Sequence, residues 1–282
     1  MSRLALPRVP EPEVMDDSDE VEAYTSAAAQ AYLDKIDDTF VEHAVRLVAG
    51  CATGRALDIG TGPGQIVLKL ARRLPGWQFI GVDRSPNMIR QARATLADSG
   101  KHVGAPPAAP LGGVPRPAIA GSGQPSPVST HVGSGAARVQ FFVADGSCLP
   151  FADADFDLVT CNSVLHHLAR PQGLFAEVAR LAKPGGAILI RDLRRPSRLA
   201  YPLHVRWHGR HYSGLMYKLY CASVRSAYTA AEIEEMLRAS PLAGTGPEPA
   251  RSTALRACAA GRGVHVFAHG RTHLGLERPS HP

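Results

Sequence analysis

The chain has no Cys-x-x-Cys pair. Its five cysteines, Cys51, Cys148, Cys161, Cys221 and Cys258, are scattered. That spacing argues against a metal site or a disulfide framework and suits a reducing cytosol. No apolar run reaches the roughly 18–20 residues that a membrane span needs. The opening Met-Ser-Arg-Leu-Ala-Leu-Pro is soon interrupted by prolines and acids, so it lacks the apolar core of a signal peptide. A cytoplasmic protein without a membrane span is the expectation. Charge of one sign is also in short supply. The formal net charge is +6 over 282 residues, which a generally solvated surface explains. Hydrophobic residues make up 45%, enough to core one substantial domain with room for insertions.

What is present is concentrated at residues 56–64, Ala-Leu-Asp-Ile-Gly-Thr-Gly-Pro-Gly. A short apolar run carries Asp58 and breaks into Gly60, Gly62 and Gly64. Ile66, Val67, Leu68, Leu70 and Ala71 then continue at helical spacing. Strand, glycine turn and helix follow one another, which lets a ligand lie against bare main chain at a helix start. Phe79-Ile80-Gly81-Val82-Asp83 is a second short strand ending in an acid, placed to hydrogen-bond the hydroxyls of a ribose. The glycines differ from the Gly-x-Gly-x-x-Gly of dinucleotide enzymes. No Gly-Lys-Ser/Thr follows, which excludes a phosphate loop.

The alternation continues as strand 55–59, helix 64–74, strand 78–82, helix 85–97, strand 139–143, strand 157–161, helix 171–182 and strand 186–191. Repeated strand–helix alternation predicts an α/β fold with a parallel sheet covered on both faces and a ligand crevice at the carboxyl ends of the strands. Asp83, Asp145 and Asn162 stand at those ends. Ser85-Pro86 marks one helix start, and Thr229 with Glu232 marks another as a capping box. Tyr24, Ala28, Tyr32, Ile36 and Phe40 lie four apart and define one helix face. Residues 99–137 are rich in Gly, Pro, Ser and Ala without periodicity, and a disordered insertion is expected there. Val264, Val266 and Ala268 alternate with His265, Phe267 and His269 as a last strand. Residues 272–282 read as a flexible tail.

Four blocks together resemble the class I S-adenosylmethionine-dependent methyltransferases, most nearly the ubiquinone and menaquinone biosynthesis branch. They are LDIGTGPG at 57–64, FIGVDRSPNMIRQA at 79–92, VQFFVADGSCLPFADADFDLVTCNSVLHHL at 139–168 and LAKPGGAILIRDL at 181–193. The resemblance implies a doubly wound, mostly parallel seven-stranded sheet with helices on both faces and an antiparallel final strand, here 263–271. It implies S-adenosyl-L-methionine as cofactor and methyl transfer by in-line displacement to a small organic molecule. The expected organisation is a helical lid over 1–50, a cofactor-binding domain over 51–271 and a substrate cap over 194–228.

The expected cofactor residues are Asp58, Gly60, Thr61, Gly62, Gly64, Asp83, Arg84, Met88, Asp145, Gly146, Asn162 and Ser163. Asp83 would take the ribose, Asp145 the adenine amino group, and Asn162 with Ser163 the methionine end. Asp58 would hold the turn or meet the cofactor's ammonium. Tyr24 and Tyr32 are candidate lid residues. His166, His167 and Tyr212 are the catalytic candidates. Arg191, Asp192, His211 and Tyr212 are the expected substrate contacts, the cap's arginines suiting an anionic or phenolate-like group. His166 and His167 raise the question of a metal, but no third ligand has suitable spacing, so none is expected. Methyltransferases acting on base amino groups carry Asn/Asp-Pro-Pro-Tyr/Phe after the fourth strand. Cys161-Asn162-Ser163-Val164-Leu165 stands there instead and argues against a nucleic-acid substrate of that type. An RNA or protein methyltransferase, or a non-catalytic S-adenosylmethionine-binding protein, is the alternative.

Overall fold

A computed structural model describes residues 5–11, 16–100, 130–131, 138–243, 264–269 and 272–280. Most of the Gly/Pro-rich insertion, residues 101–129 and 132–137, lies outside the described residues, as does Cys258. The chain opens with two helices, α1 (Ser18–Thr25) and α2 (Ala27–Leu47). Strand and helix then alternate through β1 (Gly54–Ile59), α3 (Gln65–Arg73), β2 (Trp77–Asp83) and α4 (Pro86–Gly100). After β3 (Thr130–His131) come β4 (Arg138–Val143), β5 (Phe156–Asn162), α5 (Gln172–Leu181) and β6 (Ala182–Leu193). Helices α6 (Tyr201–His208), α7 (Gly214–Ser226) and α8 (Ala230–Arg238) follow, then a hairpin of β7 (His265–His269) and β8 (His273–Arg278).

The described sheet runs β3-β4-β2-β1-β5-β6-β8-β7. Strands β4, β2, β1, β5 and β6 are parallel, and β8 is antiparallel to both β6 and β7. Apart from the two-residue β3 at one edge, this is the seven-stranded, mostly parallel sheet that the alternation and the resemblance predict. Alternate residues of each strand face opposite ways, so each face has its own core. Leu57, Ile59, Phe156, Val159 and Ile190 pack with α5 and α8 on one face. Ala56, Phe79, Leu158 and Leu189 pack with α2, α3 and α4 on the other. The caps form as expected. Ser85 Oγ accepts the Met88 amide at 3.1 Å, and Thr229 and Glu232 cap each other.

The strand inserted between β6 and β7 is β8, not 263–271, and most of the predicted tail is this strand. An inserted strand is buried on both faces. Leu274 and Leu276 are 1% and 0% exposed and supply that apolar character on one face. Between them Gly275 lies opposite Phe267, whose ring covers the space a side chain would fill: a Cβ there would sit 2.2 Å from the ring. The alternating 265–269 segment forms the edge, with His265 exposed. Ser280 then ties the end of the described chain to the Leu47 carbonyl at 2.7 Å.

Residues 5–11 have no helix or strand, yet they are held as a strap. Arg8 donates to the carbonyls of Ser226, His166 and Leu168 at 2.5–3.0 Å and lies over the Tyr228 ring. Arg195 donates to the Leu6 carbonyl at 2.9 Å.

Candidate active site

The carboxyl ends of β1, β2, β4 and β5 open into a cavity of about 330 Å³, within the size range of small-molecule sites. Gly60, Gly62 and Gly64 all have positive φ, at 72°, 52° and 82°, a conformation costly for any residue with a Cβ. A Cβ on Gly60 would meet Val164 at 2.2 Å, and one on Gly64 would meet Phe141 at 2.7 Å. Around Gly62 there is open space to 4 Å. The turn is clamped from β2: the amides of Gly60 and Thr61 both donate to the Val82 carbonyl at 2.8 and 2.9 Å. Asp83 Oδ2 accepts the Gly62 amide and Oδ1 the Ser85 amide, both at 2.9 Å. Asp83 lines the cavity.

Nine of the twelve expected cofactor residues line this cavity: Gly60, Gly62, Asp83, Arg84, Met88, Asp145, Gly146, Asn162 and Ser163. Asp58, Thr61 and Gly64 do not. Gly64 is the left-handed residue that starts α3. Asp58 and Thr61 are 3% and 5% exposed. Asp58 lies below the turn, where Thr160 Oγ1 donates to it at 2.8 Å. Asp145 accepts from the amide and hydroxyl of Ser147 at 2.9 and 2.7 Å, which holds its carboxyl below the usual range, and it lies 3.7 Å from Arg84. Asn162 Oδ1 accepts from Arg191 Nε at 2.9 Å. Ser163 has φ 60°, a strained left-handed conformation of the kind kept at ligand-binding turns.

Burial pushes the Asp58 carboxyl up to about 7. An acid whose folded pKa lies above its unfolded one loses stability as pH rises between the two values. Asp58→Asn keeps the shape and an acceptor for Thr160 without the charge. Its stability relative to the natural chain is therefore expected to be highest near pH 7.5 and to fall toward pH 5 in chemical denaturation. A difference independent of pH would show that Asp58 is not the group responsible.

The other half of the cavity is built by the first helices and the cap. Tyr24, Tyr32, Leu33 and Ile36 face Tyr212, Met216, Leu219 and Tyr220. Tyr32 meets Tyr212 edge-on at 5.4 Å, and Tyr212 meets Tyr220 at 5.3 Å. The Tyr220 hydroxyl is buried without a hydrogen-bond partner among the described residues. Burial raises the Tyr212 phenol, so it carries its proton at neutral pH. Further along α2 the expected helix face turns inward, where Phe40 is 1% exposed; the side chain of Ala28 lies outside the described residues.

The expected substrate contacts are corrected here. Arg191 and Asp192 are each 2% exposed and do not line the cavity. Arg191 donates to the Ile36 carbonyl and to Thr39 Oγ1, both at 2.9 Å, and so fastens α2 to the sheet. Arg195 is buried against Ala227 and Glu232, and Arg198, Arg206 and Arg210 point to solvent. His211 stacks on Tyr32 with centroids 4.4 Å apart but is exposed on the outside. Of the expected contacts only Tyr212 faces the cavity.

His166 and His167 both line it. His166 is 4% exposed, and its Nδ1 donates to Asp192 Oδ1 at 2.6 Å. Burial alone would raise the Asp192 carboxyl, but the facing His166 outweighs it and holds that carboxyl low. Two lining residues had no signal in the sequence, Asp37 and His273. Asp37 lies 3.8 Å from Arg191, and burial pushes its carboxyl up to about 6. Burial and the nearby Arg191 lower the His273 imidazole to about 3.

Residues 30–243 match the family model described as a methyltransferase domain. The chain belongs to the class I S-adenosylmethionine-dependent methyltransferases. Its cofactor is S-adenosyl-L-methionine. The methyltransferase is similar to the demethylmenaquinone methyltransferase of Roseiflexus castenholzii, with 30% identity over 152 residues, 54% of this chain and 48% of that protein. It is 27% identical over 163 residues to the demethylmenaquinone methyltransferase of Thermus thermophilus, 58% of each chain. It thus spans about half the length of the curated relatives it matches. In fold it is similar to a solved SAM-dependent methyltransferase from Aquifex aeolicus, with TM-score 0.54, 13% identity and coverage of 93% and 98% of the two chains. It is also similar to the PH0226 protein of Pyrococcus horikoshii, with TM-score 0.53, 18% identity and coverage of 92% and 96%.

The residues present suit the cofactor. Bare glycine backbone at Gly62 leaves open space to 4 Å, and Asp83 at the end of β2 lines the same cavity.

Proposed function

We propose that this methyltransferase transfers a methyl group to a small, planar, uncharged acceptor of the kind a reduced quinone ring presents. One observation carries the reading. A single cavity joins the polar carboxyl ends of the strands to a wall of Tyr24, Tyr32, Tyr212, Tyr220, Met216 and Leu219. Flat apolar surface recognises rings, and among the described residues the cap's arginines do not line the cavity; the arginines that do, Arg84 and Arg170, are not part of this aromatic wall. The names of the relatives from Roseiflexus and Thermus agree with a quinol-like acceptor.

In this reading Asp83 holds the ribose hydroxyls, Asp145 and Met88 the adenine, and Asn162 with the Gly60–Gly62 backbone the methionine portion. Bound S-adenosylmethionine supplies an electrophilic methyl on a sulfonium. The chain's own contribution is to align that methyl with the acceptor and to exclude water. Helices α1 and α2 close the cavity opposite α7, and Tyr32 and Tyr212 are the aligning surfaces.

The test is release of S-adenosylhomocysteine with a panel of acceptors: reduced naphthoquinols and benzoquinols, anionic phenolic acids, short RNA and peptides. Turnover is expected with the neutral quinols and at least tenfold less with the others. Turnover confined to RNA or peptide would overturn the reading.

A further inference from the structure

Glu11, on the strap, reaches the histidine pair across more than 150 residues of sequence. Its Oε1 lies 3.4 Å from His166 Nε2 and 3.2 Å from His167 Nδ1. The three ligand atoms all lie within 4.8 Å of one another. Ser223 Oγ donates to the same carboxylate at 3.2 and 3.4 Å. A charge-assisted N–H···O⁻ bond is shorter, about 2.7–2.9 Å. By contrast, nitrogen and oxygen ligands at about 2.0–2.2 Å from a tetrahedral ion are roughly 3.3–3.5 Å from each other. The Glu11–histidine separations match the second spacing.

We propose that Glu11, His166 and His167 form a site for one divalent transition-metal ion of zinc-like preference in the wall of the methyl-transfer cavity. The surroundings of the three are those of a metal site. His166 donates its other ring nitrogen to Asp192 at 2.6 Å, and Asp192 Oδ2 also accepts the His166 amide at 3.2 Å. A carboxylate behind a ligating imidazole fixes its tautomer and orientation. Ser223 does the same for Glu11. His166, His167 and Ser223 line the cavity, so a fourth position opens toward the acceptor. This deepens the methyl-transfer reading and rests on it: the ion takes an acceptor hydroxyl oxygen, favours release of its proton to solvent, and leaves the electron pair on oxygen. It also pins the strap, through Glu11, to the turn Leu165–His167.

The test is a Co²⁺ titration of the full chain after chelator treatment, read by visible absorption, with Zn²⁺ followed by calorimetry. About one ion per chain with a tetrahedral Co²⁺ spectrum is expected. Glu11→Gln and His167→Ala should each weaken Zn²⁺ by at least tenfold, and Asp192→Asn by about 10–100-fold. S-adenosylmethionine affinity is measured in the same preparations and should stay within about twofold in Glu11→Gln and His167→Ala. No Co²⁺ spectrum in the natural chain, or Zn²⁺ affinity indifferent to Glu11→Gln, overturns the metal site. Normal S-adenosylmethionine binding beside either result leaves the methyltransferase reading standing. Failure of the natural chain to bind S-adenosylmethionine overturns that reading and, with it, the catalytic part of this one.

Discussion

Asp83→Ala is expected to weaken S-adenosylmethionine binding by at least tenfold, roughly 1.4 kcal/mol or more. Two effects add. The carboxylate lining the cavity is lost, and with it the acceptor that holds the Gly62 and Ser85 amides at 2.9 Å. Asp83→Asn separates them. It retains one carbonyl oxygen for a backbone amide but cannot accept from two ribose hydroxyls as a carboxylate does. It should also lose affinity, by less than the alanine variant. The fold should survive both changes, because Asp83 is half-buried at a strand end and belongs to neither core. Calorimetry on the folded variants is the measurement. An unchanged dissociation constant would remove Asp83 from the site.

Arg191→Met carries the largest expected loss of stability. The guanidinium bonds Asn162 Oδ1, the Ile36 carbonyl and Thr39 Oγ1, and lies over the Phe40 ring at 4.8 Å. Burial lowers its pKa to about 10, so it remains charged at neutral pH beside Asp37. Methionine fills much of the volume but leaves Asn162 Oδ1 without this donor, the Ile36 carbonyl with the Thr39 hydroxyl alone of its two side-chain donors, and Asp37 without this counterion. Breaking such a buried arrangement costs about 3–5 kcal/mol, which for a chain of this size lowers Tm by on the order of 10 °C. Lysine cannot fork to three partners and should not rescue it. A Tm within about 2 °C of the natural chain would show that α2 is held by its apolar face alone.

What was legible in the sequence was local. Asp58 to Gly64 announced strand, turn and helix because a short apolar run, three spaced glycines free to take positive φ and an apolar helical period follow one another. Asp83, Asp145 and Asn162 could be placed because strand ends in a parallel sheet share one edge. What was hidden depends on pairing between distant segments. Glu11 sits between two prolines in a stretch without periodicity, and nothing local ties it to His166 and His167. Arg191 reads as a substrate contact until α2 is seen lying against it. The inserted strand was misplaced because 265–269 alternates like a half-buried strand, whereas Leu274-Gly275-Leu276 is short and lacks the β-branched residues that usually mark one. Its glycine is explained only by the Phe267 ring across from it. Arg191 and Arg195 misled for a physical reason: a guanidinium serves carbonyls inside the fold as well as it serves an anion.

The most direct measurement is a crystal structure of the full chain with S-adenosylhomocysteine and a reduced naphthoquinol. The account predicts the ribose on Asp83, the homocysteine against Gly60, Gly62 and Asn162, and the quinol ring against the Tyr32 and Tyr212 wall. A nucleoside bound away from the glycine turn would contradict it.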